Sequence, residues 1–263
     1  MTARNSESDA AAPRDLVQSV VRALDIVDIV AESDTPLRAQ VIAQRAGLHL
    51  ATVSHLLSTL VYVGYLQRHE REYSLGGGKI LSLSSRVEAD WRPSRQAYDM
   101  LETVVSTTGE TAYLSAWHDG DVTIVAIQEG SHSVRVADLR VGVSGDIHAR
   151  ASGKALLAFG PPAMVDRLGD ADGKLLARTE NTVTSREALV AELDRTRERG
   201  YAIDEQEYVT GACGLAVPIF EGARWPQTAL SITTPLHRYE DPEQRELYVK
   251  TLRKVRAIDA SMG

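Results

Sequence analysis

Cysteine is almost missing from this chain: Cys213 is the only one in 263 residues. A lone thiol excludes an intramolecular disulfide framework and a thiolate cluster for zinc. Neither a Cys pair nor an H-E-x-x-H string occurs, and His118-Asp119-Gly120-Asp121 reads better as a turn than as a ligand set, so no metal and no cofactor is expected. No apolar run nears the ~20 residues needed to cross a bilayer. The first residues, MTARNSESDAAAPRD, lack the apolar centre of a signal peptide, so the expected location is the cytoplasm, with no membrane partner. Excess basic charge is missing as well. The formal net charge is −7, and between Arg14 and Glu88 eight basic residues match eight acidic ones. That balance argues against strong non-specific affinity for nucleic acid, although cations gathered on one face still suffice for binding. No internal repeat is visible.

What is present is a strong pattern from Leu37 to Leu75. A first helix through Val41, Ile42 and Arg45 ends in the tight turn Ala46-Gly47-Leu48. A second carries Val53, Leu56, Leu57 and Leu60 at helical spacing, with Thr52, Ser54, His55 and Ser58 on the opposite face. Gly64 stops it, and two short strands, Tyr65 to Gln67 and Tyr73 to Leu75, flank the charged tip His69-Glu70-Arg71-Glu72. Together these features predict a winged helix-turn-helix that binds double-stranded DNA. Ahead of it, Val17, Val20, Leu24 and Val27 recur at three and four, the stripe of a helix that packs behind the motif. After it, Gly76-Gly77-Gly78 reads as a flexible start to a linker helix bearing Ile80, Leu81 and Leu83, ended by Trp91-Arg92-Pro93.

The texture changes near Pro93. Helices are expected over Arg95 to Thr107, Gly153 to Phe159, Ser185 to Arg199 and after Asp241-Pro242. Strands are expected at Thr111 to Trp117, Val122 to Gln128, Ser133 to Leu139, Tyr201 to Ile203, Leu215 to Phe220 and Thr228 to Thr234. Strands around a few helices, without steady βαβ alternation, indicate an α+β sensor-type domain. The chain divides accordingly into a tail (1–13), a winged unit (14–76), a linker helix (77–92) and a second domain (93–260).

Over nearly its whole length the chain resembles the IclR family of bacterial transcription regulators. The matching stretches are LVQSVVRALDIVDIVAES, RAGLHLATVSHLLSTLVYVGYLQR, HARASGKALLAF, RERGYAIDEQEY and ALSIT, in order and at fitting spacing. The resemblance implies a winged helix-turn-helix joined by a linker helix to a GAF-like α/β effector-binding domain, assembled as dimers or dimers of dimers. It implies a ligand-responsive repressor without catalysis, and an effector that is a small organic acid. By matching motifs, Val134, Ala137, Ala151, Ser152, Asp204, Ser231 and Thr233 would line the effector pocket, with Gly153 in the same helix start.

The departures from the family matter. Leu50 and Ala51 stand where a basic and a hydroxyl residue are frequent, and His55 stands at a frequent arginine, so the recognition helix holds no Arg or Lys. The arginine-to-guanine contact is therefore unavailable from it. Base reading falls to Thr52, Ser54, His55 and Ser58, assisted by Gln40, Gln44 and His49, unless these are simply the solvated face of a helix. Arg38, Arg45, Arg68 and Arg71 suit phosphates, which position a protein without reading sequence. Cys213 is counted with the candidate pocket residues, although it is displaced by one residue from the pocket cysteine frequent in the family and Gly214 takes the matching place. Arg150 stands where a small residue is usual; it either clamps a carboxylate bidentately or faces solvent. An anion there would meet the free amides of Ala151 to Gly153. An ionised Asp204 would repel a carboxylate, so it is expected to accept a ligand hydroxyl or a backbone amide instead. The rival readings are a sensor without specific DNA binding, and a thiol enzyme using Cys213 with His148 or His118 as base.

Overall fold

A computed structural model describes residues 15–118, 120–132, 139–170 and 172–262, with the backbone alone described at 87–91 and 261–262. Val134, Ala137 and nearly all of the strand expected from Ser133 lie outside the described residues. The chain divides into two compact units, 1–90 and 91–263.

In the first unit α1 (Gln18–Ala31), α2 (Ala39–Ala46) and α3 (Leu50–Tyr62) surround Ile26, Val30, Ile42, Val53, Leu57 and Leu60. Gly47 closes α2 at φ 64°, the left-handed conformation that glycine adopts without penalty, and so turns the chain into α3. A hairpin of β2 (Leu66–His69) and β3 (Glu72–Leu75) forms the wing, turning at Glu70-Arg71. A two-residue strand not foreseen from sequence, β1 (Leu37–Arg38), pairs with β3. The apolar stripe expected to pack α1 needs correction. Val17, Val20 and Leu24 are exposed; of that stripe Val27 packs, and the helix is anchored through Ile26 and Val30, because α1 is apolar on two faces and only one meets α2 and α3.

The glycine triplet also differs from expectation. The next helix, α4 (Gly77–Trp91), starts inside it, and the amides of Lys79 and Ile80 both donate to Gly76 O at 3.1 Å. Gly76 is buried, and a β-carbon on it would lie 2.0 Å from Gly64 O. It is a glycine because two backbones touch there, not because the chain must flex.

The second unit is a five-stranded antiparallel sheet between two helical layers. Its strands are β4 (Thr111–His118), β5 (Asp121–Gln128), β6 (Ala202–Glu205), β7 (Ala212–Ile219) and β8 (Thr228–Pro235), in the order β5-β4-β8-β7-β6. On one face Ala112, Leu114, Cys213, Leu215, Val217, Leu230 and Ile232 pack against α5 (Arg95–Thr108) and the carboxyl-terminal helix α9 (Pro242–Met262). On the other, Ala202, Ala216 and Ala229 meet α6 (Ala151–Phe159) and α7 (Arg186–Arg199). Small side chains there let α6 lie close to the sheet. Two short helical segments escaped the sequence reading, a 3-10 turn at Pro162–Arg167 and α8 (Leu236–Tyr239). Ser94 and Ser185 cap α5 and α7 by accepting from the amides of Ala97 and Ala188.

Candidate functional site

The exposed face of α3 carries Ser54, His55 and Ser58, with Thr52 half-buried beside them. Ser54 Oγ donates to Leu50 O at 2.8 Å and Ser58 Oγ to Ser54 O at 2.9 Å, so both hydroxyls turn back onto their own helix, with lone pairs still free to accept. His49 occupies the N-cap of α3 without making a side-chain cap. Gln40, Gln44 and Arg45 lie exposed on α2. Arg38 is held 3.5 Å from Glu72 of the wing. Arg68 stacks on Tyr73 and donates through Nε to Glu70 O at 2.8 Å, while Arg71 sits exposed in the wing turn. A polar helix face flanked by four arginines is thus formed within one small unit. An α-helix of this kind fits the ~12 Å major groove.

The second site lies over the sheet at the start of α6. Strand alternation decides its lining. Asp204 pairs with Gly214, Gly214 with Thr233, and Tyr113 with Ser231, so these residues share one face, as does Ser115. With Arg150, Ala151, Ser152, Tyr208, Val209, Ala212, Ile124 and Leu139 they line a cavity of about 440 Å³, open mouth included. Five residues proposed from matching motifs or position therefore come together with Arg150: Ala151, Ser152, Asp204, Ser231 and Thr233.

Cys213 does not join them. One residue from Ala212 and Gly214 on the same strand, it faces the opposite layer among Leu215, Val217 and Leu230, and burial pushes its thiol up to about 12. This corrects its assignment to the pocket and removes the thiol nucleophile. Gly153 is also outside the lining, because a β-carbon there would meet Ile147 O at 2.1 Å. His148 is buried with Nε2 2.8 Å from Leu176 O, and burial lowers its pKa, so it is committed to structure. Among the described residues no cluster of His, Cys, Asp or Glu could hold a metal ion.

One of the two readings of Arg150 is excluded. The residue is 4% exposed, so it does not face solvent. One guanidinium nitrogen, Nη2, donates to Val122 O, while Nε and Nη1 are buried without a protein partner. Burial lowers its pKa, with Tyr208, Asp121 and Asp146 acting in the other direction. Tyr208 lies 5.9 Å from Arg150 and 4.3 Å from Arg178, which pairs with Asp146 at 2.7 Å. Ser115 Oγ is a second buried pocket atom without a partner. A buried donor left unpaired costs about 1–3 kcal/mol, more if charged. Arg150 and Ser115 both lie in the lining of the same cavity.

Asp204 stands differently. Its Oδ1 accepts the amides of Glu207 at 2.7 Å and Tyr208 at 3.2 Å. Burial raises its carboxyl to about 7, against the pull of Lys154 and those amides. Lys154 is fully buried and pairs with Glu207 at 2.5 Å. Tyr113, Ser115 and Tyr208 were missed from sequence. For Ser115 the signal was a hydroxyl inside the apolar run Tyr113 to Trp117; for Tyr208 there was none beyond its place at the end of a matching motif.

Comparison with known proteins agrees with this architecture. A model described as the IclR helix-turn-helix domain matches residues 19–70, and one described as the bacterial transcriptional regulator IclR C-terminal matches 94–260. The chain belongs to the IclR family of bacterial transcription regulators. Its members regulate transcription through DNA and are not enzymes. The HTH-type transcriptional regulator XynR of Escherichia coli is 32% identical over 237 residues, 87% of this chain and 90% of that protein. The transcriptional repressor IclR of the same organism is 28% identical over 253 residues, 94% of this chain and 90% of its own. A solved IclR homolog from Microbacterium hydrocarbonoxydans, complexed with 4-hydroxybenzoate, superposes with a TM-score of 0.67 at 26% identity, covering 93% of this chain and 98% of that one.

Proposed function

We propose that this IclR-family regulator is a cytoplasmic repressor that binds operator DNA through residues 14–76 and senses a small organic acid in the 93–260 domain. The observation that carries the sensing role is Arg150: a buried guanidinium with two unpaired nitrogens, beside Ser152 at the start of α6, suits a carboxylate. The neighbour crystallised with 4-hydroxybenzoate supports an acid of that size.

Ligand acts on DNA affinity only through its different affinity for the two arrangements of the DNA-binding units. The helix spanning 77–92 connects the two functions along the chain. The working form is a homodimer or a dimer of dimers, because one winged unit covers only a half-site and α4 exposes Leu81 and Leu83. The test is fluorescence anisotropy of the full chain on its own upstream DNA, with a panel of aliphatic and aromatic acids. An active acid should shift the affinity of wild type and fail on Ser152→Trp, which fills the pocket. An acid that acts equally on both places the sensor elsewhere.

A further inference from the structure

The acid-sensing role proposed above leaves open which acids fit, and the two charged groups of the pocket bear on that. Arg150, the N-cap residue of α6, reaches toward β5, while Asp204 stands on β6, the two edge strands of the order β5-β4-β8-β7-β6. Arg150 is bonded to Val122 O on β5. Asp204 projects from β6 toward β7, where its Oδ2 is 3.6 Å from the position of a Gly214 β-carbon. Ala151, next to Arg150, and Asp204 have their β-carbons 3.3 Å and 3.5 Å from the position of a Gly214 β-carbon, and the Arg150 guanidinium lies 5.9 Å from the ring of Tyr208, whose amide donates to Asp204, so one small molecule can reach both groups. Among the described residues the lining between the two groups is uncharged, supplied by Tyr113, Ser115, Ser231 and Thr233.

The neighbouring charges are spoken for. On the Arg150 side, Asp121 accepts from the amides of Val122 and Gly145 and from Ser144 Oγ, and Asp146 is paired with Arg178. On the Asp204 side, the cation that faces the carboxylate is Lys154 of α6, and Glu207 holds it. Among the described residues the cavity therefore presents one guanidinium with two unpaired nitrogens on one side and one carboxylate on the other. Because Asp204 Oδ1 already serves two backbone amides, Oδ2 is the atom left for a ligand.

We propose that the pocket selects acids with a single carboxylate and an uncharged hydrogen-bond-donating far end, and rejects dicarboxylates of the same length. The carboxylate meets Arg150; the far hydroxyl or amide donates to Asp204. A second carboxylate would instead face an ionised, buried acid, and like-charge contacts of this kind are strongly unfavourable. The groups that set the protonation of Asp204 are Lys154 from α6, Glu207 and the Glu207 and Tyr208 amides from its own loop, with Cys213 on β7 uncharged. With its carboxyl raised to about 7, discrimination is full in mild alkali and narrows in mild acid, where a protonated Asp204 donates to a second carboxylate.

Two matched pairs test this by titration calorimetry of the full chain: 4-(hydroxymethyl)benzoate against terephthalate, and 6-hydroxyhexanoate against adipate. At about pH 8 wild type should bind a hydroxy acid at least about tenfold more tightly than its dicarboxylate, and less selectively at about pH 6. Asp204→Asn should bring the ratio within about threefold at both pH values, whereas Arg150→Gln should weaken both partners and keep the ratio. Equal binding of a pair by wild type at about pH 8, or an unchanged ratio in Asp204→Asn, overturns the selectivity and leaves acid sensing intact. Should Asp204→Asn fail to fold, the pH dependence of the wild-type ratio decides. Binding of none of the four at millimolar concentration overturns the selectivity together with the sensing role it rests on.

Discussion

Arg238 grips both carboxylate oxygens of Glu110, Nε to Oε1 at 2.6 Å and Nη2 to Oε2 at 2.9 Å. Tyr248 of α9 donates to the same carboxylate at 2.6 Å and Thr234 of β8 at 2.8 Å. Glu110 is 1% exposed, so this cluster ties β4, β8 and α9 together at one end of the sheet.

Glu110→Ala should destabilise the second unit by about 3–5 kcal/mol, the usual cost of stranding one half of a buried pair. Burial raises the pKa of Glu110, but the bonds from Arg238, Tyr248 and Thr234 outweigh it and leave the value below 4.5. Since the folded value is lowered, the contribution is complete above about 4.5 and lost as pH falls through that lower folded value. Thermal unfolding followed from pH 7 downward should show wild type losing its advantage over the variant only in acid. A constant gap across that range would contradict the assignment.

Removing the imidazole with His55→Ala should weaken operator binding by about 1–3 kcal/mol and leave random DNA nearly unaffected, as expected for a base contact. Arg45→Ala should weaken both DNAs alike, with a shallower salt dependence. Anisotropy at two salt concentrations separates the cases. Unchanged operator affinity in His55→Ala would remove the base-reading role.

Two glycines at the start of α4, one before it and one inside it, should respond in opposite directions. Gly76→Ala forces a β-carbon into the Gly64 carbonyl and should cost about 1–3 kcal/mol. Gly78 lies in the helix with nothing within 4 Å of its β-carbon position, so Gly78→Ala should stabilise by roughly 0.5–1 kcal/mol. Chemical denaturation of the two variants measures both, and a destabilised Gly78→Ala would restore the hinge.

With its pKa near 12, Cys213 should be inert to a thiol-specific dye in the native protein. At pH 8 only about one thiol in ten thousand is ionised, and burial blocks the rest. Labelling should appear only with unfolding in denaturant. Rapid native labelling would place the thiol somewhere other than the sheet interior.

Assembly is the remaining test. Sedimentation at micromolar protein should show a dimer or larger, and a stable monomer that still binds its operator specifically would refute self-association.

Local chemistry was enough to read the winged unit: helical spacing of Val53, Leu57 and Leu60, the turn at Gly47 and the charged-tip hairpin leave few alternatives for so short a stretch. The five described strands of the second domain were legible for the same reason, to within a residue or a few at their ends. Three matters needed the tertiary structure. The inward face of α1 was ambiguous, because a helix apolar on two sides is oriented only by the neighbours it meets. The role of Gly76 was hidden, because a glycine demanded by a close approach looks in sequence like one demanded by flexibility. The pocket was only partly legible. Strand alternation separates Gly214 from Cys213, but which face receives α6, and that Arg150 reaches back under it to Val122 with two nitrogens unpaired, depends on packing between elements 28 residues apart. Sequence specifies which groups exist and how each segment folds locally; only the assembled layers determine which of those groups are left without a partner.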